Sequence, residues 1–187
     1  MSQNRQGGKI VRSTDPADYQ RVPRAVAAMP KDFDAGFEIA PHSHERAQLI
    51  HATAGTMRVS TDEAVWVVPP QRALWMPAGV RHSIVMSGDV TMRTLYLRDD
   101  AARGMPPTCH VLPVSPLLRE LVVRATELPL HYEEEGPAGH VIALLLAELH
   151  SAETLPLQLP MPRDRRLRAI CENLLDAPGD SRTLEEW

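Results

Sequence analysis

The sequence has little cysteine. Cys109 and Cys171 are the only two in 187 residues, far apart and in no CxxC pattern. That excludes a disulfide framework and a thiolate zinc site, and leaves two small reduced thiols. It has no excess of positive charge either: 20 Lys and Arg against 24 Asp and Glu give −4. The chain as a whole therefore has no general attraction to phosphate backbones. No apolar run reaches membrane-spanning length; the longest, Val141 to Leu149, contains Glu148. Met1 to Lys9 is polar with no apolar core, which argues against a secretory signal. No GxSxG, phosphate-loop or dinucleotide-binding glycine pattern occurs, so those enzyme classes have no support. What is left is a protein expected in the cytoplasm, with 43% hydrophobic and 24% charged residues. Its length allows one sizeable domain with a core, plus a short appendage.

After a frayed tail over residues 1–9, the chain from about Ile10 to Val114 reads as strands. Short apolar segments at Phe33–Ile39, Ala47–Ala52, Thr56–Ser60, Ala64–Val68, Ala73–Met76, Ser83–Met86 and Thr91–Leu97 alternate with turn residues. Their spacing of roughly 8–12 residues predicts an all-β sandwich or barrel. Pro69-Pro70 should end a strand, and Gly88-Asp89 should turn a hairpin between Ser83–Met86 and Thr91–Leu97. The character then changes. Ser115–Leu128 carries apolar residues at helical spacing, with Ser115 as cap and Pro116 at the first helical position. A second helix, from about Ala138 to Ser151, is apolar nearly all round. The sheet covers one side, and a partner subunit is the expected cover for the other through Val141, Leu144, Leu145 and Leu149. Residues 152–162, with Pro156, Pro160 and Pro162, read as a linker. Beyond it a helix is capped by Asp164 and closed near Pro178-Gly179. Thr183-Leu184-Glu185-Glu186 then forms a capping box that opens a further helix, interrupted at Trp187. A single turn is not stable alone, so the natural polypeptide is expected to continue.

Within the strand region stands a split histidine pattern. His42 and His44 are two apart and share one face of a strand, with Gln48 at the same parity; His82 follows Pro77-Ala78-Gly79, a tight turn that begins a strand. If the two strand pairs are neighbours, three imidazoles and a carboxamide converge. Imidazole nitrogens suit Zn, Ni, Fe or Cu, and three of them with an open position resemble a catalytic or sensing site more than a closed structural one.

Gly36-x5-His42-x-His44-x3-Gln48-x6-Gly55 resembles the first cupin motif, with glutamine where that family usually has a metal-binding glutamate. Pro77-x-Gly79-x2-His82 resembles the second. The resemblance covers roughly residues 33–98. It implies a mainly β fold, a cupin jelly-roll barrel followed by a C-terminal α-helical pair, with His42, His44, Gln48 and His82 as the positions for a divalent transition metal. A neutral Gln48 lowers the expected affinity for a dication. The segment from Arg163 to Trp187 is similar to the opening of the DNA-binding domain of AraC/XylS-type transcription regulators, and Val65 to Gly79 looks like their sensor half. Those proteins join an N-terminal cupin-like sensor to a C-terminal pair of helix-turn-helix units.

His51, Arg58, Trp66, Trp75, Arg93 and Tyr96 lie on the proposed strands and are candidates to line the ligand pocket. The expected organisation is a tail over 1–9, a cupin β-barrel over 10–114, a helical dimerisation segment over 115–151, a linker over 152–162 and the start of a helix-turn-helix domain over 163–187. The expected role is an effector- or metal-sensing domain of a homodimeric regulator. It has no catalytic residues, and it reaches DNA only through a C-terminal domain absent from this sequence, with no DNA-binding residues in this chain and no membrane partner. The competing expectation is a stand-alone cupin metalloenzyme, a small dioxygenase or isomerase. The histidines favour it; Gln48 and the interrupted helix disfavour it.

Overall fold

A computed structural model describes residues 12–177, 179–183 and 185–187. The tail expected over 1–9 lies outside them, as do Pro178 and Leu184 of the two C-terminal helix signals. In chain order the elements are α1 (Ala17–Gln20), β1 (Val26–Phe33), β2 (Glu38–His42), β3 (Ala47–Ser60), β4 (Ala64–Val68), β5 (Arg72–Met76) and β6 (His82–Leu97). They continue as β7 (His110–Pro113), α2 (Pro116–Glu127), α3 (Pro137–Ser151), β8 (Leu159–Pro160) and α4 (Arg165–Asp176). This is a mixed α/β fold with a β-rich core and a short C-terminal helical region.

All eight strands belong to one sheet built on two long strands, β3 and β6. β1 and β2 pair with β6, β4 and β5 pair with β3, β7 extends β5, and β8 extends β4. The expected jelly-roll barrel does not form, because the hydrogen-bonded path begins at β1 and ends at β8 without closing. Composition gives the reason. β1, β2, β7 and β8 carry Pro30, Pro41, Pro113 and Pro160, whereas β3, β4, β5 and β6 carry no proline. A proline has no N–H for a ladder bond and is confined to edge strands, so each of these strands ends the sheet rather than bridging it.

The hairpin expected at Gly88-Asp89 is also absent: β6 runs unbroken from His82 to Leu97. Gly88 has φ +76°, and opposite it the β3–β6 register shifts between Ala52 and Ala54 and again between Ala54 and Thr56. Bulges of this kind bend and twist a ladder without ending it. Gly55 sits in this bend at φ +76°, and a Cβ there would lie 2.3 Å from the Asp89 carbonyl oxygen. Only glycine fits so close an approach.

Alternation along β5 shows why both faces are buried. Ala73 and Trp75 join a core shared with α2 and α3, and Leu74 and Met76 join the core on the other face with Ile50, Met57 and Met92. Side chains two apart share a face, so a strand buried on both sides reads as a continuous apolar run. Helix α2 starts as expected: Ser115 Oγ accepts the Leu118 N–H at 3.0 Å, with Pro116 next to it. α4 is capped by Asp164, whose Oδ1 accepts from the N–H groups of Arg166 and Leu167 at 2.9 and 3.3 Å. The segment 152–162 is tied to the sheet. Leu155 bridges to Val111, and β8 pairs with β4. At the end, Glu186 accepts the Thr183 N–H at 2.7 Å, the reach-back expected of the capping box.

Candidate metal centre and ligand cavity

β2 and β6 are antiparallel neighbours with His42 opposite His82, the adjacency the histidine pattern needed. His44 lies just past the end of β2. Its carbonyl accepts the Gly79 N–H at 2.9 Å, and Gly79 has φ +77°. The Pro77-Ala78-Gly79 turn therefore clips the loop that carries His44 to the start of β6. The three rings cluster, steeply inclined to one another, with centroids 4.7 Å (His42–His44), 4.4 Å (His42–His82) and 5.5 Å (His44–His82) apart.

The donor atoms converge. His42 Nε2 is 3.1 Å from His44 Nε2, and the ligand atoms of all three residues lie within 4.8 Å of one another. With metal–nitrogen bonds of about 2.0–2.1 Å, two ligands on one ion are separated by roughly 2.9–3.4 Å, so the His42–His44 edge fits. The Nδ1 atoms of His42 and His82 face the carbonyls of Ala40 at 2.8 Å and Val80 at 3.0 Å. Each Nδ1–H donates there, which leaves Nε2 with its lone pair free. His82 is buried and its Nε2 has no partner among the described residues. Burial pushes His82 down to about 4, against the opposing bond to the Val80 carbonyl and helped by His42. His44 is likewise pushed down to about 4, first by burial, then by the neighbouring His42 and His82. Both rings are neutral at pH 7 and able to ligate. The cluster is capable of coordinating a divalent metal ion.

Gln48 is buried beside it. Its amide nitrogen donates to Thr94 Oγ1 at 2.9 Å and to Tyr96 Oη at 3.4 Å, which leaves the buried Oε1 without a donor. Tyr96 stands edge-on to His44 at 5.0 Å, and burial raises its hydroxyl above the ordinary tyrosine range. His42, His44, Gln48 and Tyr96 open on a cavity of about 610 Å³ whose other walls include Met29, Phe33, Phe37 and Met92. An apolar chamber with a few convergent polar groups is what a small-molecule site requires.

Of the other candidate pocket residues, only Tyr96 lines this cavity. Trp66 lines a separate one. Arg58 pairs with Asp176 of α4 at 2.7 Å, and Arg93 with Asp32 at 2.9 Å. Trp75 packs in the helix-side core and donates its Nε1–H to the Pro106 carbonyl at 3.0 Å. His51 is wholly buried with Nδ1 on the Arg72 carbonyl at 3.1 Å. On α3, Leu145 and Leu149 are fully buried inside this chain, Val141 is half-buried and Leu144 is 46% exposed.

Arg46 is the residue that sequence reasoning missed. It is buried, and its guanidinium donates to the backbone carbonyls of Gln20, Val22 and Arg24, while its own N–H donates to Gln20 Oε1. This fixes the segment after α1, and with it Ala17 and Gln20, over the cavity. An arginine between His44 and Gln48 has no spacing signal that separates it from a solvated one.

The family model of the AraC-like ligand binding domain matches residues 33–186. The chain belongs to this family. Among curated proteins, one relative is the HTH-type transcriptional regulator NimR of Escherichia coli (strain K12), 32% identical over 146 residues that make up 78% of this chain and 53% of that protein. The chain thus spans about half the length of that relative. Among solved structures, apo ToxT from Vibrio cholerae strain SCE256 matches 87% of this chain and 68% of its own at a TM-score of 0.50 and 8% identity, a likeness of fold. A cupin superfamily protein from Desulfitobacterium hafniense DCB-2 matches 40% of this chain and 78% of its own, at 20% identity and a TM-score of 0.36. The likeness to a transcriptional regulator favours a regulatory over a catalytic role for this AraC-like domain. No helix among the described residues is long and apolar enough to cross a membrane.

Proposed function

We propose that this chain is the effector-sensing part of a cytoplasmic, DNA-binding transcription regulator, and that its role is not catalytic. The observation that carries the reading is the convergence of the His42, His44 and His82 ligand atoms beside a cavity lined by His42, His44 and the buried Gln48. In this reading those four residues hold a divalent metal, Zn, Ni or Fe, and the apolar cavity beside Tyr96 admits a small-molecule effector. When bound, the ion supplies a charge and open coordination positions to which an effector's oxygen or nitrogen can attach. The chain's own part is to present neutral imidazoles, hold them by the Ala40 and Val80 carbonyls, and close the cavity with the segment that Arg46 fixes. Residues 115–151 carry the homodimer contact, 152–162 connect, and 163–187 begin a helix-turn-helix domain of the type named for NimR. Regulation requires that the effector bind one arrangement of these parts better than another.

Calorimetric titration of protein purified without added metal tests this, with Zn(II), Ni(II) or Fe(II) as titrant. About one ion per chain is expected. The His42→Ala plus His82→Ala variant should weaken binding by more than about a hundredfold and Gln48→Leu by about tenfold, each with an unchanged far-UV spectrum. Equal uptake by the native chain and the double variant would sink the metal site.

A further inference from the structure

We propose that the paired strands β3 and β6 couple the histidine cluster to α4, so that an ion held by the cluster tightens the docking of α4, a coupling that rests on the metal-sensing reading above. Strand register puts the two ends of this coupling on opposite faces of the same few residues. At the start of β6, His82 and Ile84 are buried, while Ser83 and Val85 between and after them are half-buried on the other face. His82 belongs to the cluster, and Ile84 lines its cavity. On β3, Ser60 stands opposite Ser83, Val59 opposite Ile84 and Arg58 opposite Val85. Residues directly opposite share a face. Val59 therefore packs with Ile84 in the core, and Arg58 and Ser60 turn outward with Ser83 and Val85.

That outer face is where α4 is held. Asp176 pairs with Arg58 at 2.7 Å. Arg58, Ser60 and Val65, with Glu172, Leu175 and Asp176 of α4, surround a cavity of about 220 Å³. The helix thus meets the strands around a gap instead of through a packed seam, and its fit depends on where Arg58 and Ser60 stand. Its other polar tie comes from the turn just after Ser60, where the Asp62 carbonyl accepts from Arg168.

The histidine cluster sits where these strands are least supported. Among the described strands β2 pairs with β6 alone, and its register shifts between Ile39 and His42. A bulge leaves part of a ladder unpaired. Ligation of one ion by His42 and His82 adds a cross-strand tie there, with the two nitrogens roughly 2.9–3.4 Å apart. The tie steadies Ser83 and, across the ladder, Ser60 and Arg58. α4 then docks on a surface already ordered, which lowers the entropy cost of docking. The two-state element is α4 itself, docked or detached, and the cluster biases its balance.

The test is hydrogen exchange on the whole 187-residue chain, metal-free and with one equivalent of Zn(II). Zinc should slow the amides of residues 165–176 about fivefold or more and leave those of α2 unchanged. The slowing should vanish in His42→Ala plus His82→Ala. Slowing that persists there overturns the coupling, since zinc would then act elsewhere, as on Cys171 of α4. Linkage is reciprocal. Arg58→Gln plus Ile170→Asp plus Leu175→Asp detaches α4, and none of the three residues lines the histidine cavity. That variant should bind Zn(II) more weakly in calorimetry by the same factor, with native exchange in α2 and α3 to report that it folds. A native zinc affinity in it overturns the coupling. Zinc uptake by the native chain with no change in α4 overturns the coupling and leaves the metal site standing; no uptake removes both.

Discussion

His51 is a titratable ring at zero exposure, and its protonation is tied to stability. Burial pushes its pKa below the ordinary 6.5; the bond to the Arg72 carbonyl opposes this, and the nearby charge of Arg119 on α2 adds to it. The unfolded chain takes up a proton on this ring near pH 6.5, while the folded chain resists until lower pH. The stability it contributes is therefore whole above pH 6.5 and is lost as pH falls toward the depressed value, by up to about 1.4 kcal/mol per pH unit. His51→Leu removes that dependence. It strands the Arg72 carbonyl, so at pH 8 the variant should be the less stable by about 1–2 kcal/mol. In urea melts at pH 8 and pH 5 the gap should narrow or reverse at pH 5; an equal gap at both would place the proton elsewhere. The metal candidates were readable from the chain because ligation needs fixed residue types at fixed parity, and His42, His44 and His82 met both conditions. The tryptophans and arginines carried no such signal. Trp75 and Arg93 sit on strands as Tyr96 does, Arg93 on the same one, and only the face each side chain takes assigns Tyr96 to the cavity.

Elements follow from local composition more closely than their connections do. The apolar run Ala64–Val68 forms β4 over those same residues, and Ser115-Pro116 starts α2 as its chemistry requires. β3 and β6 were harder to see, because Gly55 and Gly88 read as turns. In the structure they are bulges within single long strands, and a glycine with positive φ serves either purpose. The four edge prolines were visible in the sequence, and their edge preference is a rule of single strands. That they sit on the strands that would have to meet to close a barrel depends on strand order, which no local pattern states. α3 shows the same limit. Its apolar circumference was read as one face for the sheet and one for a partner, yet Leu145 and Leu149 are both fully buried against the chain itself. Leu145→Ala should cost about 2–5 kcal/mol in urea melts through the cavity it leaves. Leu144, 46% exposed, is the better probe of association. Leu144→Glu should hold stability within about 0.5 kcal/mol and give monomers in sedimentation. A dimer of unchanged affinity would move the interface off α3.

Across the whole molecule, attachment is uneven. α2 and α3 bury five and four residues each, and α4 buries none. What holds α4 to the sheet is the Arg58–Asp176 pair at 2.7 Å, with Asp176 largely exposed, the Arg168 bond to the Asp62 carbonyl, and the half-buried Ile170, Cys171 and Leu175. Leu167 and Leu174 stay 52% and 39% exposed. An exposed ion pair contributes up to about 1 kcal/mol and a single hydrogen bond about as much. With the partial burial of Ile170 and Leu175, detachment of α4 costs roughly 2–4 kcal/mol, which leaves a detached population on the order of one per cent. A free helix of this length frays in water, so the amides of residues 165–176 should exchange far sooner than those of α3, whose opening approaches global unfolding. Arg58→Gln should speed exchange in α4 several-fold and leave α2, α3 and the Tm of the sheet unchanged. Protection in α4 equal to that in α3 would show a docking far stronger than these contacts supply. The weak attachment has a functional consequence. Shifting a two-state balance requires only that the ligand's preference for one state exceed the gap between the states. For α4 that gap is within reach of one or two charge-assisted contacts at the surface that holds it.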